Sequence, residues 1–316
     1  MLVCTAGSLS GCAWVNQLGD HRAIEAHELA LQARSAEADG DWNRAADLLT
    51  QASETDSADS DVRRQLAGVL VRQGHLREAA DELQMAVESV PDDVECRVEL
   101  ARVLIDLEDY DGAREHIATA LENEPDCVKA RLLNAQLAEQ SRDADEALDN
   151  YLHVLAVDDD QVPALLGAAE SYIQLGTPTQ ACPLLNSVCR STRPTCEQQA
   201  RAHWLLGVAY GREQRWNDAA SVLSAAAEQG YQMTADDRYR LAYAHLAGEN
   251  VEAAAGELSG ALAMEPNHSN ALAMATMLHR ESLIESGSVV QAGYSNQPFP
   301  VPQGWQPMAQ TPTGNR

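Results

Sequence analysis

The sequence has little of several things. It holds a single Phe in 316 residues, and aromatic side chains make up 4% of it. Stable sheets draw on aromatic and β-branched residues, whereas helices that cross closely need small ones. With Ala abundant, the balance favours helix-on-helix packing. Basic residues are also scarce, with 22 Lys and Arg against 48 Asp and Glu and a formal net charge of -26. A nucleic-acid phosphate partner needs clustered Lys and Arg, so none is expected. The acidity reads as solvated helix faces that also favour basic partners. No run of 18 or more apolar residues occurs, which excludes a transmembrane helix. A GxGxxG, a phosphate loop, HExxH and GxSxG are all missing. The nine His are scattered, and no carboxylate pair stands out as acid and base. No CxxC or Cys/His spacing reads as a zinc site. An enzyme is not expected, nor a cofactor or metal.

What is present is a period. Leu66, Ala67, Leu70, Ala79, Leu83, Ala86 and Pro91 recur 34 residues later as Leu100, Ala101, Leu104, Ala113, Ile117, Ala120 and Pro125. A fixed period of this length marks a stacked-repeat architecture. The same ruler divides the chain into 26–59, 60–93, 94–127, 128–161 and 162–195 without a gap. Four residues are then inserted before 200–233, and one before 235–268. Residues 13–25 read as a linker or leading helix, and 269–285 as a capping helix.

The positions that repeat are those where helices meet. Position 20 is Ala in all seven units: Ala45, Ala79, Ala113, Ala147, Ala181, Ala219 and Ala254. Position 8 is Ala or Gly throughout, and position 27 is Ala or Val. A larger side chain there would hold two crossing helices apart. Position 24 supplies the filling knob, such as Leu83. Gly40, Gly74 and Gly176 sit where a turn needs positive φ. Pro91, Pro125 and Pro266 end second helices. One such unit cannot bury its own apolar face, so neighbours must stack.

This pattern resembles the tetratricopeptide repeat family over residues 26–285. The resemblance implies an all-α fold, an α-solenoid superhelix of antiparallel helix pairs. It also implies a non-enzymatic scaffold that holds a protein or peptide in a concave groove lined by the first helix of each unit. Positions 5, 9 and 12 of that helix share a face. In the early units they are mixed, with an Arg stripe at Arg34, Arg64 and Arg102. In the later units they turn apolar and aromatic: Leu166, Glu170 and Ile173, then Trp204, Val208 and Gly211, then Tyr239, Tyr243 and Leu246. Met274 and Met277 extend the row on the capping helix. Aromatic and Met side chains are enriched at interfaces. Packing between neighbouring first helices is the competing reading for each of them. Family members that clamp a C-terminal carboxylate carry Lys at position 5 with Asn at 9. No unit here does, so that activity is not expected.

At the N-terminus, Leu9-Ser10-Gly11-Cys12 resembles the lipobox of bacterial lipoproteins. The resemblance implies cleavage before Cys12 and lipidation of Cys12, with residues 1–12 covering a short signal. Ala13 in place of Asp implies the outer membrane, facing the periplasm. The stretch departs from the pattern in its shortness and in having no Lys or Arg before Cys12. The alternative is a cytoplasmic adaptor with no anchor. Of the other cysteines, Cys182 and Cys189 lie two helical turns apart, about 10.5 Å by rise, beyond disulfide reach. Cys189 and Cys196 flank the inserted 190–195 loop and could close a disulfide after export. Buried thiols are the other reading. The acidic turn at 157–160 lacks the alternating ligands of a calcium loop. Residues 286–316 hold five of the twelve Pro and no acidic residue. That composition predicts a disordered tail, free to serve as a ligand or to fold back into the groove.

Overall fold

The protein is described from a computed structural model covering residues 9–56, 59–285, 301–302 and 305. Fifteen α-helices and no strand are found among these residues. They fall into two compact units, Met1–Leu137 and Ala138–Arg316. The first unit contains α1 (Leu9–Ala38), α2 (Trp42–Thr55), α3 (Ser60–Gln73), α4 (Leu76–Ser89), α5 (Val94–Asp106) and α6 (Tyr110–Asn123). The boundary falls in α7 (Val128–Gln140). The second unit continues with α8 (Ala144–Val157), α9 (Val162–Gln174), α10 (Pro178–Arg190) and α11 (Cys196–Arg212). It ends with α12 (Trp216–Glu228), α13 (Ala235–Ala247), α14 (Val251–Met264) and α15 (Ser269–Glu285). Within each unit, helices consecutive in sequence pack on each other, and first helices also meet their successors, as in α3 with α5 and α9 with α11. This is α-solenoid packing of antiparallel helix pairs. No helix among the described residues is long and apolar enough to cross a membrane.

The repeat positions become the core. All seven Ala at position 20 are buried, and so are the position-24 side chains Leu49, Leu83, Ile117, Tyr151, Leu185, Leu223 and Leu258. The fourth of these is larger than the rest. The structure makes room for it in the next helix: a Cβ on Gly167 would fall inside the Tyr151 ring. The Tyr151 hydroxyl then donates to Glu139 Oε1 at 2.8 Å, which meets the hydrogen-bonding need of a buried phenol. Gly207 does the same service for Leu223, whose Cγ occupies the place a Cβ would take.

Short polar side chains start the helices. Asp41, Asp59, Asp93, Asp109 and Asp143 accept from backbone N–H groups of the first turn. Thr195 and Thr234 complete reciprocal capping boxes with Gln198 and Asp237, satisfying donors that the helix itself cannot.

Position 15 ends the first helix of every pair in the left-handed region. Gly40, Gly74 and Gly176 stand there in three repeats, and Glu108, Arg142, Gln214 and Glu249 in the other four, with φ between 59° and 65°. An L side chain in this region costs roughly 1–2 kcal/mol, while Gly adds unfolded-state entropy worth about 0.4–1 kcal/mol. Changing all four residues to Gly is therefore expected to stabilise the chain by about 3 kcal/mol in total, read as a rise in the urea midpoint at constant slope. No rise would mean that their side chains make compensating contacts.

The N-terminal signal and the tail fall largely outside the described residues. Residues 1–8 are not described, and Cys12 lies on the backbone of α1 with its side chain outside the described set. Of the tail, Val301, Pro302 and Trp305 are described. Trp305 is buried, at 4% exposed.

Candidate protein-binding surface

In the first unit the first-helix positions carry charge already engaged by neighbours. Arg34 Nε donates to Gln65 Oε1 at 3.2 Å. Arg64 lies 3.0 Å from Asp61, 3.4 Å from Glu95 and 3.7 Å from Glu99, and Lys129 pairs with Glu95 at 2.8 Å. Burial pushes the Glu99 carboxyl above its ordinary range even with Arg64 beside it. Of the Arg stripe, Arg64 thus joins an ion-pair network with Asp61 on its own helix and Glu95 and Glu99 on α5.

In the second unit the predicted residues divide. Leu166, Ile173 and Val208 are buried in the main cluster of the unit. Tyr239 is 1% exposed and Met274 0%, and both lie in the cluster that joins α13, α14 and α15. The structure gives these five to packing between adjacent helices. Glu170, Trp204, Tyr243 and Met277 keep part of their surface in solvent. Glu170 pairs with Arg201 of α11 at 2.6 Å.

Trp204 is held on two sides. Its ring stacks on Tyr231 at 5.4 Å between centroids, and its Nε1 donates to Asp237 Oδ1 at 3.0 Å. Asp237 is 3% exposed. It also accepts from Arg240 Nη1 at 2.6 Å, from Thr234 N at 3.0 Å and from Thr234 Oγ1 at 2.8 Å. Charge-assisted bonds of this kind compensate the cost of burying a carboxylate. Burial pushes the Tyr231 phenol up to about 12 and that of Tyr243 above its ordinary value. Both rings stay neutral at physiological pH.

A second aromatic group lies nearby. Trp216 and Tyr243 meet edge-on at 5.5 Å, and Trp305 from the tail completes the group at 5.7 Å from Trp216 and 6.0 Å from Tyr243. Gly211 makes the seat, since a Cβ there would fall inside the indole of Trp305. Arg212, the next residue, donates to Ile173 O. Trp305 N donates to Pro302 O at 3.0 Å, closing a turn, and Val301 packs against the same cluster. The indole Nε1 is buried with no hydrogen-bond partner among the described residues.

Tyr231 and Asp237 escaped sequence reasoning as site residues, whereas for the tail that holds Trp305 a fold back into the groove was one reading. Tyr231 and Asp237 sit off positions 5, 9 and 12, one in a turn and one at a helix N-terminus. Trp305 lies beyond the last repeat, and its one signal was an aromatic residue in an uncharged, Pro-rich stretch. Cys189 and Cys196, the pair that could close a disulfide after export, are both free thiols in this structure. Cys189 faces the core, where burial pushes its thiol up to about 11, whereas Cys196 is exposed at the start of α11.

Stacked helix pairs with small residues at every crossing define the class, a helical repeat protein. The chain contains tetratricopeptide repeats: residues 36–95 and 98–163 each match a family described as tetratricopeptide repeat. A tetratricopeptide repeat protein from Parabacteroides merdae is 18% identical, with a TM-score of 0.56, over 81% of this chain and 99% of that one. YrrB, described as a tetratricopeptide repeat protein with an unusual peptide-binding site, is 22% identical over 65% and 100% of the two chains, with a TM-score of 0.54. PilW, described as a widely conserved type IV pilus biogenesis factor, is 20% identical over 69% and 98%, with a TM-score of 0.56. At these identities the likeness is one of fold. No curated protein matches the chain.

Proposed function

We propose that the protein is a non-enzymatic scaffold that binds a protein or peptide on the first-helix face of its second unit. The carrying observation is that Trp204, Tyr243 and Met277 stay partly exposed there while their neighbours pack inward. Half-exposed aromatic and Met side chains on pre-ordered helices suit peptide recognition, because little side-chain entropy remains to be lost on binding. The peptide-binding site of a fold relative such as YrrB supports the same reading. The scaffold is anchored in the cell envelope through lipid on Cys12, at the outer membrane and facing the periplasm. Its work there lies in envelope assembly, secretion or pilus biogenesis. The Leu9-Ser10-Gly11-Cys12 motif and the fold likeness to a pilus biogenesis factor support that placement.

Two measurements test this. Replacing Trp204 and Met277 together with Ala is expected to lower recovery of the captured partner at least about tenfold, equivalent to ~1.4 kcal/mol, with helical content unchanged. Unaltered recovery would remove this face as the binding surface. Intact mass of the protein from its native host is expected to show acyl chains on Cys12. An unmodified chain starting at Met1 would sink the anchor.

A further inference from the structure

The tail residue seated over Gly211 shows what that part of the surface accepts. The indole edge bearing Cε2, Cζ2 and Nε1 lies where a Gly211 side chain would otherwise stand. Tyr243 and Trp216 wall the ring at 6.0 and 5.7 Å. The backbone that delivers it makes a turn from Pro302 to Trp305, and Val301 adds an apolar contact beside it. The delivering stretch, 286–316, has no acidic residue in a protein of net charge -26. A ligand rich in carboxylates would be repelled by the same body. Gly211 and Tyr243 occupy positions 12 and 9 of successive first helices, so the seat lies within the surface already assigned to partner binding. Among the described residues the buried indole N–H has no hydrogen-bond partner.

We propose that the seat formed by Gly211, Trp216 and Tyr243 is a recognition site for a Pro-x-x-Trp turn on a partner segment free of acidic residues, and that Trp305 of the same chain fills it until such a segment displaces it. This rests on the scaffold reading and names the ligand class for it. An occupant on the same chain competes at roughly millimolar effective concentration. A partner must therefore bind well in excess of its intrinsic need, or arrive with further contacts along the row to Trp204.

The test uses the full chain and a fluorescein-labelled peptide of residues 297–311, titrated by anisotropy. The Trp305→Ala chain is expected to bind one peptide, at least about tenfold more tightly than the wild type does. The Trp305→Ala/Gly211→Ala chain is expected to lose at least about tenfold of that affinity. Ala is the better helix former, so α11 is expected to keep its helical signal. Equal binding by the wild type and Trp305→Ala, or by the single and double variants, would overturn the proposal. A peptide with Ala in place of its Trp is expected not to bind. If it binds as tightly as the Trp peptide, the proposal fails whatever the variants' fold. A wild-type dimer that Trp305→Ala abolishes would overturn occupancy within one chain in favour of a second copy's tail. Failure here is separable from failure of the scaffold reading: a captured partner still recovered by Gly211→Ala would leave the scaffold standing without this seat.

Discussion

Asp237→Ala is expected to destabilise α13 and its neighbours by about 3–5 kcal/mol, the cost typical of removing one member of a buried charge pair. The side chain is 3% exposed and gathers four interactions from two helices. One comes from Trp204 of α11, two from the Thr234 cap and one from Arg240. Alanine removes them together. It leaves the indole N–H of Trp204 and the cap N–H of Thr234 without the Asp237 acceptor, and it removes the side-chain half of the capping box that starts α13, while the backbone N–H of residue 237 still donates to Thr234 Oγ1. Loss of a cap alone costs typically ~1 kcal/mol, so an effect confined to that size would show that the link to Trp204 contributes little. Asp237→Asn keeps one carbonyl acceptor and is expected to recover part of the loss. Hydrogen exchange of α13 amides is the fitting measurement, because repeat stacks open locally. If the exchange rates of α13 are unchanged in Asp237→Ala, the carboxylate does not hold these helices. The same variant is expected to weaken partner binding, since Trp204 loses the bond that sets its ring against Tyr231.

Leu223→Ala is expected to cost about 2–5 kcal/mol, as for other buried Leu side chains. Its partner residue makes the case sharper. Leu223 is fully buried, and its Cγ fills the space left by the missing side chain of Gly207. Gly207→Ala alone sets two effects against each other. Helix propensity favours Ala by ~1 kcal/mol, while overpacking costs about 1–3 kcal/mol. The clash is with a branched carbon in a fully buried side chain, which cannot swing into solvent, so net destabilisation is expected. In the double variant the new methyl enters the cavity left by Leu223, and the propensity gain is unopposed. The two changes should therefore not add: the pair is expected to be about 1 kcal/mol or more better than the sum of the singles. Urea unfolding of the four proteins at constant slope measures this directly. Strict additivity would mean that α11 and α12 do not meet at this point.

The seven Ala at position 20, the knobs at position 24 and the turn glycines were legible because each repeat states the same steric rule again. A crossing that admits no side chain larger than Val leaves the same mark wherever it occurs. The larger Tyr151 could be read as an irregular fourth repeat, yet its accommodation could not, because Gly167 belongs to the next repeat. The turn position was half legible. Gly40, Gly74 and Gly176 announce positive φ, but Glu108, Arg142, Gln214 and Glu249 adopt it with no sequence mark, since the pitch of the helix pair imposes it.

The binding surface was harder to read. Spacing at positions 5, 9 and 12 places residues on a face of a helix, but it does not say how much of that face the neighbouring helix covers. Leu166, Ile173, Val208, Tyr239 and Met274 are covered, and Glu170, Trp204, Tyr243 and Met277 are covered only in part. That division depends on how far each first helix sits from the next, which is a property of the stack.

The sequence by itself determined the helix-pair repeat, its period and the residues at each crossing, because those constraints act within one unit and its neighbour and recur at fixed spacing. Only the tertiary structure decided which face residues remain open, that Asp237 braces Trp204, and that Trp305 occupies the space over Gly211. Each of these joins residues from different helices, or from beyond the repeats altogether, and contacts of that kind leave no period to read.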